Sequence, residues 1–135
     1  MLEKNSYLEA KRYINNAWEI LSTKAGKKGK FYTDPKYVKM AFNTAYTDVL
    51  VVLDDVIKVR KKKERPDVDK YRKALSVENK KILQYFNSAY NYLHLLGGYD
   101  GDLNVHTSTE VLALAEEIIE WTGGKLEKNK EIAEI

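Results

Sequence analysis

Asn87, Asn91 and His94 follow one another at steps of four and three, a spacing that puts two amides and an imidazole on one face of a helix. Turned into a polar groove, such a face can hydrogen-bond a base or a ribose; the plainer reading is a half-buried histidine satisfied by backbone. Asp48 stands one heptad before Asp55, with Asp54 beside the latter. Paired carboxylates can move protons or hold a cation. Seven residues of helix nevertheless separate Asp48 and Asp55 by about 10 Å, so one ion would need ligands from other helices. A solvated face, or one paired with Tyr or Lys, is the favoured reading. The third constellation is basic: Lys61, Lys62 and Lys63 lie within Lys58–Arg65, and Lys70, Arg72, Lys73, Lys80 and Lys81 follow. Such a patch can hold phosphates with salt-dependent affinity. Arg12, Arg60, Arg65 and Arg72 are the only arginines among 23 cations. Bidentate reading of phosphates and bases favours arginine, so solvated lysine-rich helix ends outrank specific nucleic-acid recognition.

Other motifs fail on inspection. Gly26 and Gly29 are too close for a phosphate-binding loop, and Phe31 stands where Ser or Thr belongs. Asp100, Asp102 and Asn104 imitate the start of a calcium loop, but Val105 replaces the required glycine and Val111 the required glutamate. Gly123-Gly124-Lys125 reads as a helix C-cap, and His106 as local structure beside a helix start. The absence of cysteine removes disulfides, thiol nucleophiles and thiolate metal sites, and two histidines are too few for a three-histidine zinc site. No catalytic residue, metal or cofactor is expected.

These residues must be positioned by helices. Tyr7, Ala10, Ile14, Ala17 and Leu21 form a stripe over about 7–25, with Ser6 and Glu9 as a capping box and Gly26 as the stop. The lysines and glycines of 26–30 read as a mobile loop. Asp34 caps a second helix at Pro35. That helix carries two apolar stripes, Val38–Ala41–Ala45–Val49–Val52–Val56 and Phe42–Tyr46–Leu50–Leu53–Ile57, and so belongs between several neighbours. Pro66 enforces a break. Asp67 to Leu75 suits a short helix, and Asn79 is either a new start or an interior residue. From about 78, Ile82, Phe86, Ala89, Leu93 and Leu96 repeat until Gly97-Gly98. Thr107 and Glu110 cap a last helix, closed by Gly123-Gly124. The fold expected is all-α, an up-and-down bundle of four main helices with a short fifth. A chain of 135 residues buries one core, so 1–135 is read as a single domain with a flexible tail from about 124. No wholly apolar run, Val49 to Leu53 included, approaches membrane-spanning length, and a cytoplasmic location with no membrane partner is the default.

The strings YLEAKRYINNAWEILSTKAG, FYTDPKYVKMAFNTAYTDVLVVLDDVI and KYRKALSVENKKILQYFNSAYNYLHLLGGYDG resemble a family of small, uncharacterised bacterial all-helical proteins, a domain of unknown function that looks like the HEPN superfamily. The resemblance spans about residues 6–122. It implies nucleotide or RNA binding, or a partner protein such as a nucleotidyltransferase, and in active members RNA cleavage by an arginine followed by a histidine after four to six residues. Arg12, Arg60, Arg65 and Arg72 have no histidine at those offsets, so ribonuclease activity is not carried over. The resulting expectation is a non-catalytic bundle that binds through Asn87, Asn91 and His94 and through Lys61, Lys62 and Lys63. The alternative is an interaction module that self-associates as a homodimer by helix packing. Of the ten tyrosines, Tyr32, Tyr71 and Tyr99 are placed to stack on bases, and the others read as core or helix-interface residues.

Overall fold

The computed structural model describes the backbone of residues 2–57, 67–97 and 104–134, with side chains over 7–56, 67–94 and 104–125. Helix α1 (Leu2–Thr23) leads through a two-stranded antiparallel hairpin, β1 (Lys27–Lys28) and β2 (Phe31–Tyr32), into α2 (Pro35–Ile57). Helix α3 (Val68–Glu78) and α4 (Lys80–Ala89) follow, the latter continuing as a π-helical segment, Tyr90–Gly97, and α5 spans Val105–Glu134. Among the described residues this is an up-and-down helical bundle with a short fifth helix, as the apolar spacing predicts.

Helix α2 is central. Val38, Ala41, Ala45, Val49, Val52 and Leu53 are fully buried, and the helix packs against α1, α3, the π segment and α5. Ala10, Ile14, Ala17 and Leu21 of α1 and Leu112, Ala115, Ile118 and Ile119 of α5 close the same core. Asp34 caps α2 as expected, its Oδ1 accepting from the Lys36 N–H at 3.1 Å. Asn79 separates α3 from α4: its extended backbone (φ −166°, ψ 108°) interrupts the helix while its side chain accepts from the Lys81 and Ile82 N–H groups. It is therefore a new start rather than an interior residue.

Several boundaries differ from expectation. Helix α1 begins at Leu2, so Ser6 lies inside it rather than at its start. Asn104, not Thr107, caps α5, its Oδ1 accepting from the Thr107 N–H at 2.9 Å. The segment expected as a mobile loop is a hairpin: Gly29 turns it at φ 64°, and the Val105 N–H donates to the Lys30 carbonyl at 2.9 Å, tying it to α5.

Gly123-Gly124 does not end α5, which continues to Glu134, so the expected tail from about 124 begins as helix. Gly123 serves contact instead. A Cβ there would overlap the Tyr7 ring, with Cζ only 2.6 Å away, whereas nothing lies within 4 Å of a Cβ at Gly124. The Tyr7 hydroxyl donates to Glu120 at 3.0 Å, and the Lys11 ammonium, bonded to the same carboxylate, holds its pKa below the usual range. Lys125 pairs with Glu78 at 2.7 Å just beyond. Two substitutions of the same type should thus have opposite signs. Gly124→Ala gains helix propensity and raises stability by about 0.5–1 kcal/mol, while Gly123→Ala displaces Tyr7 and lowers it by about 1 kcal/mol. Thermal denaturation of the pair measures both.

Candidate functional site

Helices α2, α3 and α4 meet around a strip of rings. Tyr71 and Phe86 are fully buried between α3 and α4, centroids 5.8 Å apart, and the Tyr71 hydroxyl donates to Asp54 of α2 at 2.5 Å. One position along α3, Arg72 points outward. Its Nε donates to Asn87 Oδ1 at 2.8 Å, its Nη1 to Asp69 at 3.1 Å, and its guanidinium lies 5.1 Å from the centroid of the Tyr90 ring. Tyr90 opens the π segment, whose wider turn is a departure often found where a helix serves function. His94 packs on Tyr90 at 5.5 Å and stacks on Tyr46 of α2 at 4.7 Å with 21° between planes. Tyr46 and Tyr90 are half-buried, whereas His94 and Asn91 are exposed.

Of the expected amide–imidazole face, Asn87 and His94 flank the Arg72–Tyr90 contact, with changed roles, while the π turn that carries Asn91 and His94 no longer keeps a step of three on one face. Asn87 is an acceptor for Arg72 and His94 is an exposed member of a ring cluster rather than a histidine held by backbone. Arg72 and Tyr90, absent from the expected site, complete it; the signal available was their position beside Asn87 once α3 and α4 form a hairpin. Lys61, Lys62 and Lys63 lie outside the described residues. The tyrosines expected to stack on bases are corrected: Tyr32 and Tyr71 are 2% and 1% exposed, and Tyr99 lies outside the described residues. Exposed His106 pairs with Glu110 at 3.2 Å, local structure as expected.

The aspartates separate. Asp54 accepts from Tyr71, in keeping with a tyrosine-paired face. Asp48 is not solvated: it is 5% exposed and its Oδ2 is buried without a hydrogen-bond partner. Burial, reinforced by the nearby Glu9 carboxylate, pushes its pKa up to about 7. Two residues of helix turn about 200°, so Asp48 points away from the Tyr46–His94 side of α2. An acid–base set of Asp48, Asp55 and His94 is not assembled. Among the described residues no group of three His, Asp or Glu side chains could hold a metal, and no helix is long and apolar enough to cross a membrane.

A family model described as Domain of unknown function (DUF5618) matches residues 5–123. The chain belongs to that family. A solved structure of a protein of unknown function from Dyadobacter fermentans is similar to this DUF5618 chain, with 46% identity and a TM-score of 0.82 over 88% of this chain and 94% of the other. No curated protein matches.

Proposed function

We propose that this DUF5618 domain is a non-catalytic, HEPN-like bundle that binds RNA or a nucleotide by stacking a base beside His94, Tyr46 and Tyr90. The observation that carries the reading is the guanidinium of Arg72 lying against Tyr90 while the neighbouring His94 ring stays exposed. Stacked rings next to a cation accept a base face without demanding its identity, and the cation meets the phosphate. Asn91, exposed and next to Tyr90 in the chain, offers an amide to a base edge or ribose. Lys61, Lys62 and Lys63 precede α3 in sequence and supply further phosphate contacts. The non-catalytic part of the proposal rests on the arginines, none of which has a histidine at the spacing used by the active members of the superfamily that the sequence resembles.

Fluorescence anisotropy with a labelled mixed-sequence oligoribonucleotide, and competition by ATP, tests this reading. Binding is expected at low salt and falls as salt rises. His94→Ala or Tyr90→Ala weakens it by about 1–3 kcal/mol, the usual worth of one stacked base. Glutamine at 61–63 together lowers the salt slope by about 2, at about 0.7 per lost phosphate contact. No binding at low salt, or binding indifferent to His94, would overturn the proposal.

A further inference from the structure

One face of α2 has the same spacing from either end. Lys36, Met40, Thr44, Thr47, Val51 and Asp55 are separated by four, four, three, four and four residues, so they form a single strip about 28 Å long. Its order is symmetric in chemistry as well: a cation at one end and an anion at the other, a large apolar residue inside each, and two threonines at the centre. Met40 and Val51 are each 44% exposed, Lys36 and Thr47 are exposed, and Thr44 and Asp55 are half-buried. We infer that this strip is the interface of a homodimer in which α2 packs antiparallel on α2 of a second copy.

The occupant follows from self-complementarity. A two-fold axis passing between residues 45 and 46 brings Met40 to the height of the partner's Val51, Thr44 to that of the partner's Thr47, and Lys36 to that of the partner's Asp55. An isologous contact requires such pairing of a patch with itself. Burying two exposed apolar side chains per copy drives the association, and opposite charges at the ends set the antiparallel sense. Short threonine side chains at the crossing let the helices approach closely. Tyr46 faces away from the strip, so the dimer leaves the His94 cluster of each copy open, and this inference stands or falls apart from the proposed RNA binding.

Sedimentation equilibrium on the full chain tests it. The wild type is expected to dimerise with rising concentration, and Met40→Glu or Val51→Lys, each at an exposed position, weakens association at least about tenfold by burying an unpaired charge. Mixing the two variants restores a heterodimer, since Glu at 40 then faces Lys at 51 at one contact while the native pair remains at the other. Circular dichroism confirms that the variants keep their helices, and Thr47→Glu replaces either one that does not. A wild type that stays monomeric across the series would overturn the inference. So would a dimer indifferent to these substitutions, or variants that fail to pair when mixed.

Discussion

Replacing Asp48 by asparagine is expected to stabilise the domain by about 2–4 kcal/mol at pH 8 and to abolish most of its pH dependence between about 4 and 7. The reason is a carboxylate that folding takes out of water and leaves without a donor. In the unfolded chain an aspartate titrates near 3.9. In the folded chain burial, and secondarily the Glu9 carboxylate, raise that value to about 7. Below about pH 4 both states are protonated and the native state carries no penalty. As pH rises through the window the unfolded chain releases its proton first, so it binds fewer protons than the native state and stability falls. Above the folded value both are ionised and the loss reaches its plateau, about 4 kcal/mol for a shift of about three units. Asparagine keeps the shape and never ionises. Urea denaturation at pH 5 and pH 8 measures the difference. A wild type equally stable at both would show that the carboxylate is relieved by a route other than protonation.

Phe86→Ala should cost about 3–5 kcal/mol, the largest loss expected of a single side chain in this fold. Phe86 is fully buried and meets the Tyr71 ring, so truncation opens a cavity at the seam between α3 and α4. Short helix α3 has little else to hold it: Tyr71 and Leu75 are its only buried residues. Loosening that seam also moves Arg72, whose guanidinium reaches Asn87 and Tyr90 across it. Phe86→Leu should recover much of the stability by refilling the volume, whereas Phe86→Ala should weaken oligoribonucleotide binding even at temperatures where the variant remains folded. Paired melting and anisotropy measurements separate these effects.

The apolar stripes of α1, α2 and α5 were legible because burial on a helix repeats at the helical period, and Ala10, Ile14, Ala17 and Leu21 are all buried as that period requires. Asp34-Pro35 was legible because capping is local chemistry. Gly123 was not: a glycine that ends a helix and one that admits a ring from α1 look alike until Tyr7 is in place. Asp48 sits at the edge of an apolar stripe, where only the packing of α1 decides between solvent and burial. The hairpin has two residues per strand, too few for alternation to show. The π segment leaves no distinct period over eight residues, so the ring cluster built on it was read from Asn87, Asn91 and His94 only in outline.

Helix α5 contacts α1, α2, α4 and the π segment. During synthesis the chain emerges from its N-terminus, and the helices that form first expose the side chains that Val111, Leu112, Ala115, Ile118 and Ile119 later cover. The nascent domain therefore cannot complete its core until about residue 122 has left the ribosome, and for several seconds, at about 5–20 residues per second, it carries sticky surface. The Val105 N–H donates to the Lys30 carbonyl, so the start of α5 is tied to a hairpin made well before it. Of the five helices, the one made after the others is the one that closes the core over them.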